Sequence, residues 1–152
     1  MVDELSNKLF FRLYQTANML NKVGSRALES EQITTQQWSI IGALSRETVC
    51  SGMTVSELCD YLMVSRQNMT GLLSRLEERQ LLTRTIDPSD NRSRRISLTN
   101  KGKELWDVIK PLINDFYDHS LQGMSFDDRI ACVHYMNKLL QNMKRLDKEQ
   151  NT

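Results

Sequence analysis

Cysteine, histidine, proline and long apolar runs are all scarce in this chain, and each shortage closes off a class of protein. The three cysteines, Cys50, Cys59 and Cys132, are odd in number, widely spaced and never arranged as Cys-x-x-Cys, so neither a disulfide framework nor a zinc knuckle is implied. His119 and His134 are the only histidines, and no two ligand-type residues stand at metal-binding spacing, which leaves no metal site and no cofactor in the expectation. A phosphate-cradling glycine loop, His-Glu-x-x-His, Gly-x-Ser-x-Gly and a carboxylate cluster around a histidine are missing, and with them the common enzyme chemistries. No apolar stretch nears the ~20 residues that cross a bilayer. The opening MVDELSNKLFFRLYQ lacks the basic start, apolar run and small-residue cleavage site of an export signal. A cytoplasmic chain without a membrane partner is the expectation.

What is present is enough for one domain, since 152 residues can enclose a real hydrophobic centre. Net charge is only +1, but it is unevenly spread. Between Leu62 and Lys101 eight basic residues (Arg66, Arg75, Arg79, Arg84, Arg92, Arg94, Arg95 and Lys101) meet four acidic ones (Glu77, Glu78, Asp87 and Asp90), a local +4 that leaves −3 for the rest. A concentrated basic segment is the electrostatic footprint of a polyanionic partner.

Periodicity divides the chain into four helices, a hairpin and two more helices. From about Val2 to Glu29, Leu5, Leu9, Leu13, Ala17 and Leu20 recur at helical spacing, flanked by Phe10 and Tyr14. Thr34 with Gln37 has the form of a capping box ahead of Trp38, Ile41 and Leu44, so a second helix is expected to end near Ser45. The ETVCSGM that follows reads as a loop to a short extended piece at Met53 and Thr54. Thr54 and Glu57 form another capping box, opening a short helix through Leu62. After Met63 and Val64, Ser65 caps a helix in which Met69, Leu72, Leu73 and Leu76 share a face. Two helices so tightly joined make a helix-turn-helix.

The period then shortens. LLTRTI and RRISL carry β-branched residues, and DPSDNRS between them is rich in turn formers, which predicts a hairpin with its loop over residues 87–93. Thr99 caps a helix striped with Leu105, Ile109, Leu112, Ile113 and Phe116, kinked but not ended by Pro111, that stops near Gly123. Ser125, with Asp127 and Asp128, starts a last helix carrying Ile130, Val133, Met136, Leu140, Met143 and Leu146. The order is that of a mainly α fold with a small β-hairpin wing, a winged helix-turn-helix. The N-terminal helix (1–30) and the C-terminal helices (101–147) bear more apolar stripe than the lobe 31–100 can cover, so both are assigned to dimerisation, with 148–152 a frayed tail.

A helix that enters the major groove needs polar, slender first turns on one side and a packing face on the other. Ser65, Arg66, Gln67, Asn68 and Thr70 offer donors and acceptors there, and Arg75 follows further along. Arginine to guanine, and glutamine or asparagine to adenine, are the pairings that groove geometry favours. On the hairpin, Arg92, Ser93, Arg94 and Arg95 are expected on an exposed tip, where arginines can meet phosphates or enter a narrow minor groove. Asp90 is expected to orient the Arg92 guanidinium through a bidentate hydrogen bond. Each feature alone has a plainer reading, a well-capped solvated helix start and a solvated charge run. One hairpin apart, they form a surface for double-stranded DNA; a winged helix used for protein contacts would present an acidic or apolar face.

Three stretches carry a family resemblance: Asp90-Asn91-Arg92 followed by Arg95-Ile96-Ser97-Leu98-Thr99-Asn100-Lys101-Gly102; Thr54-Val55-Ser56-Glu57-Leu58; and Leu73-Ser74-Arg75-Leu76-Glu77-Glu78-Arg79-Gln80-Leu81. On these the sequence resembles the MarR family over nearly its whole length. Gln80 takes the place of the family's glycine, the residue favoured past a helix C-terminus because it adopts positive φ. The resemblance implies a sequence-specific transcriptional regulator that works as a two-fold homodimer on a palindromic operator, with half-site centres about 10 base pairs apart. By the family's habit it implies a repressor released by a small aromatic carboxylate or phenolic effector.

For that effector, Arg12 within the apolar first helix and Trp38 on the second are the candidate guanidinium clamp and aromatic wall, with Asn18, Ile109 and Ile113 lining the same crevice. An intersubunit salt bridge and a core tryptophan are the plainer readings of Arg12 and Trp38. A redox signal is the alternative. Cys50, in a loop near Arg46, is best placed to sense, whereas Cys59 and Cys132 on amphipathic helices read as structural.

Overall fold

The computed structural model describes residues 1–151. Among them six α-helices and three strands follow in the order α1 (Glu4–Ala27), α2 (Thr35–Leu44), β1 (Met53–Thr54), α3 (Val55–Leu62), α4 (Arg66–Glu78), β2 (Leu82–Asp87), β3 (Asp90–Leu98), α5 (Asn100–Ser120) and α6 (Phe126–Gln150), with single 3-10 turns at Glu29–Glu31 and Glu47–Val49. Local capping chemistry sets most of the helix starts. Thr34 accepts from the Gln37 N–H while the Gln37 side chain accepts from the Thr34 N–H, and the same reciprocal pairing joins Thr54 with Glu57 and Ser125 with Asp128. Each such cap contributes about 1 kcal/mol. α5 continues through Pro111 to Ser120. α6 continues to Gln150, so residues 148–150 are helical where a frayed tail was expected, and Asn151 donates from Nδ2 to the Asp147 carbonyl at 2.8 Å.

The chain divides into two compact units, Met1–Phe116 and the segment from Tyr117 onward, with the boundary inside α5. The first unit holds one core, in which Leu28, Ile40, Ile41, Leu58, Met69, Leu73, Leu76, Ile96 and Ile109 are fully enclosed. Each such side chain contributes about 1.5–3 kcal/mol by leaving water. The C-terminal half of α1 is tied to α2 through hydroxyls: the Thr35 N–H donates to Ser25 Oγ and Thr35 Oγ1 donates to the Asn21 carbonyl, both at 3.1 Å. The N-terminal half of α1 leaves Leu5, Leu9, Phe10, Phe11 and Tyr14 exposed. In the second unit α6 buries none of its residues, and Phe126, Ile130, Val133 and Met136 stand exposed.

The sheet runs β1-β3-β2, all antiparallel, with Met53 opposite Ile96 and Leu82 opposite Leu98. The hairpin loop is shorter than expected. Its turn is Pro88-Ser89 and β3 already begins at Asp90, so Arg92 and Ser93 belong to a strand. The regular ladder ends with Ile86 opposite Arg94, and beyond it the register shifts, so that Asp87 faces Asp90 and residues 91–93 bulge out of the pairing. The Asp87 carboxylate tightens the turn by accepting from the Ser89 N–H at 2.9 Å and the Ser89 hydroxyl at 2.7 Å.

The end of α4 is sharp despite the missing glycine. Gln80 itself takes φ +61°, the Gln80 N–H donates to the Glu77 carbonyl and the Leu81 N–H to the Leu76 carbonyl. Thr99 donates its hydroxyl to the Gln80 carbonyl at 2.6 Å and also accepts from the Gly102 N–H at 3.0 Å, joining the end of α4 to the start of α5. Gly102 is required there, because a Cβ would collide with the Leu81 carbonyl oxygen.

Candidate nucleic-acid interface

α4 presents a polar face because Met69, Leu72, Leu73 and Leu76 commit the other face to the core. Ser65 caps it, accepting from the Asn68 N–H at 3.2 Å. Gln67 and Asn68 are exposed, and their side-chain amides have no hydrogen-bond partner among the described residues. Arg66 is also exposed but is steered by α3, its Nη1 donating to Ser56 Oγ at 3.1 Å. The hydroxyl of Thr70 donates to the Arg66 carbonyl at 2.9 Å and that of Ser74 to the Thr70 carbonyl at 3.0 Å, so both protons are spent on the helix's own backbone. Arg75 is exposed further along the helix.

The ladder sorts the arginines of β3. Arg94 and Arg95 hold successive paired positions, opposite Ile86 and Thr85, and so point to opposite sides, whereas Arg92 and Ser93 lie in the stretch 91–93 that the register shift leaves without a partner. Arg92 is exposed with no side-chain partner among the described residues, and Arg94 donates only to the nearby Asn91 and Ser93 carbonyls at 3.0 and 3.2 Å. Ser93 is half-buried. Two expectations are corrected. Asp90 does not hold the Arg92 guanidinium; its Oδ1 accepts from the Arg92 backbone N–H at 2.9 Å, fixing the strand after the turn. Arg95 is not at the tip. Its guanidinium folds back to the Ser51 carbonyl at 3.0 Å, the Gly52 carbonyl at 2.6 Å, Asp87 Oδ2 at 3.0 Å and Glu57 Oε2 at 3.5 Å. A five-donor fork can serve both carbonyls before β1 while neutralising Asp87. The Ser89 hydroxyl and N–H, and then Arg95, hold the Asp87 carboxyl down at about 2.

Other members of the basic segment serve the fold. Arg79 donates to the Gln32 and Glu31 carbonyls at 2.8 and 3.0 Å, Arg84 pairs with Glu77 at 2.5 Å, and Lys101 donates to the Arg79 carbonyl at 3.0 Å. A count of charges along the sequence overstates what the surface offers, because it is blind to these partners.

Of the residues expected around an effector, Trp38, Ile109 and Ile113 share the core, while Arg12 and Asn18 stand exposed on α1. Arg12 is exposed on α1 and donates to Gln15 Oε1 at 2.8 Å, and Asn18 is exposed too. Trp38, Ile109 and Ile113 are core residues, Trp38 standing edge-on to Phe116 at 6.0 Å between ring centroids. All three belong to the chain's own hydrophobic core. A cleft of about 460 Å³ opens elsewhere, between the end of α2, residues 46–50, β3 and α5. Arg46, Cys50, Ser97, Lys103, Trp106 and Lys110 line it. The spacing of Lys103, Trp106 and Lys110 on one face of α5 was the sequence signal for it. Lys110 is paired with Asp107 at 2.6 Å and Arg46 lies 4.9 Å over the Tyr61 ring. Cys50 is exposed and Cys59 half-buried against the core, but Cys132, expected to be structural, is exposed on α6.

Comparison with known proteins agrees with this geometry. Residues 31–93 match a family model described as the MarR family. The chain is 51% identical over 145 residues to the transcriptional activatory protein BadR of Rhodopseudomonas palustris, spanning 95% of this chain and 83% of the relative. A MarR/EmrR family transcriptional regulator from Acinetobacter sp. ADP1 shares the fold with a TM-score of 0.81 at 20% identity, over 94% of this chain and 99% of that one. The transcriptional repressor CouR, solved on a 23-mer DNA duplex, gives a TM-score of 0.78 at 26% identity, over 92% and 99%. A capped helix-turn-helix, a polar outer face on its second helix, an arginine-bearing wing and a relative matching over nearly the full length lead to one conclusion: this chain belongs to the MarR family of winged helix-turn-helix, DNA-binding transcriptional regulators.

Proposed function

We propose that two copies of this protein grip one duplex, each placing α4 in a major groove and the β2–β3 tip beside it, and that they read a palindrome with half-site centres about 10 base pairs apart. The observation that carries this reading is that the Gln67 and Asn68 amides and the Arg92 guanidinium are exposed and uncommitted, while most neighbouring polar groups are hydrogen-bonded within the chain. The exposed apolar residues of α1 and α6 supply the reason for a homodimer, since surfaces of that kind are covered in water-soluble assemblies. Such a protein works in the cytoplasm, where the chromosome is. The sign of regulation follows from where the operator lies relative to the promoter: repression is the family's habit, whereas BadR bears the name of an activatory protein.

Binding of labelled duplex across a salt series tests the DNA reading. Affinity falls as salt rises if phosphates are contacted, and a selected palindrome outcompetes its scrambled version. Salt-independent binding, or equal affinity for the two duplexes, overturns it.

Release by a small aromatic acid is the regulatory part of the proposal, and the cleft beside α5 is its site. Arg46 and Lys103 offer cations and Trp106 an aromatic wall, and the cleft's size suits a small organic ligand. Because β3 and α5 both line it, an occupant bears on the strand that carries the wing arginines. A thermal-shift panel of aromatic acids on wild type and Lys103→Ala tests this. If no acid stabilises the wild type, while peroxide releases DNA from wild type but not from Cys50→Ser, the redox reading through the exposed Cys50 replaces it.

A further inference from the structure

Gly71 has no explanation inside the folded chain. It sits in the interior of α4, where glycine is among the least favourable residues a helix can carry. Its φ is not positive, so no unusual backbone shape calls for glycine. A Cβ built there meets nothing within 4 Å. The other helical glycines each have an internal reason: an added Cβ would lie 2.9 Å from Thr35 Oγ1 at Gly24, 3.3 Å from the Trp106 ring at Gly42, and against the Leu81 carbonyl oxygen at Gly102.

Position on the helix supplies the missing reason. With Met69, Leu72, Leu73 and Leu76 marking the inward side, successive residues turned by about 100° put Gln67, Gly71, Ser74 and Glu78 on the opposite, outermost line. Gly71 thus lies one turn beyond Gln67, flanked by Asn68 and Thr70, on the face whose amides are uncommitted. Ser74, next on the line, has its hydroxyl turned back to the Thr70 carbonyl, which keeps the surface low there as well.

We infer that Gly71 is a clearance position for DNA: the absent side chain lets the outer line of α4 approach the floor of the major groove closely enough for Gln67 and Asn68 to reach base edges. A methyl at residue 71 holds the helix off the groove and lengthens those contacts. Phosphate contacts made from the hairpin tolerate such a shift better, because they are long-ranged electrostatic ones. Gly71 therefore governs sequence discrimination more than overall attraction. The inference rests on the proposed groove placement of α4.

The test compares wild type with Gly71→Ala and Gly71→Ser on two probes, a duplex enriched by the wild type from a random-sequence library and a scrambled duplex of the same composition. Gly71→Ala is expected to raise the melting temperature by about 2–4 °C, since alanine favours the helix and has room. Affinity for the enriched duplex is expected to fall about ten-fold or more, as for loss of a base contact, with much less change on the scrambled duplex. A more stable variant that binds the enriched duplex as tightly as wild type overturns the role of Gly71 while leaving the groove placement intact. Failure of the wild type to enrich any sequence overturns both. Equal losses on both probes also refute the inference, by making residue 71 a site of general attraction.

Discussion

Arg95 and Asp87 are joined within the hairpin, Nη1 of the arginine donating to Oδ2 of the aspartate at 3.0 Å, and the same guanidinium reaches the Ser51 and Gly52 carbonyls. Through this pair the base of the wing is fastened to the loop ahead of α3. The Arg95 guanidinium is thereby committed to the chain's own loop and carboxylate.

Asp87→Asn is expected to lower the melting temperature at neutral pH and to weaken DNA binding while leaving the base preference unchanged. The Ser89 and Arg95 contacts depress the Asp87 carboxyl from 3.8 to about 2. A depressed carboxylate stabilises the fold above its unfolded pKa and ceases to do so as pH falls through its folded value. The gap in melting temperature between wild type and Asp87→Asn should therefore be full above about pH 4 and close as pH drops toward 2. A gap that stays constant from pH 7 downward would show that the charge is not the cause.

Gln80→Gly is expected to stabilise the protein by roughly 0.5–1 kcal/mol, because an L side chain at φ +61° is strained where glycine is not. Chemical denaturation with an unchanged m-value checks this. DNA affinity should be unaltered, since the turn's geometry is already that of a glycine end.

Gly102→Ala is expected to cost about 1–3 kcal/mol, since the new methyl must displace the Leu81 carbonyl and disturb the Thr99 contacts that join α4 to α5. Thermal melting reads the loss directly, and a variant as stable as wild type would contradict the close approach.

Gln67→Ala and Asn68→Ala are expected to relax base preference at one position of each half-site, by about 1–3 kcal/mol where a bidentate contact is lost. Arg92→Ala and Arg94→Ala should instead weaken binding to every sequence and reduce the salt slope by about one. Competition titrations with single-base operator variants separate the two outcomes.

Much of this protein was legible in the chain because the signals are local. Thr34 with Gln37, Thr54 with Glu57 and Ser65 start their helices through atoms no more than three residues apart, and the spacing of Met69, Leu72, Leu73 and Leu76 fixes which face of α4 turns inward. These contacts need no tertiary partner, so reading them in order was enough to give the winged helix and the polar face of α4. The arginines, by contrast, look alike in sequence. Only the folded chain decides that Arg95 binds carbonyls 43 and 44 residues away, that Arg79 binds carbonyls 47 and 48 residues away, and that Arg92 stands exposed. Enclosure is decided in the same way: Trp38, Ile109 and Ile113 are buried by elements distant in sequence, and no local pattern separates a core wall from a pocket wall. Periodicity and caps are properties of neighbouring residues; the partner a charged or aromatic side chain finds is a property of the whole fold.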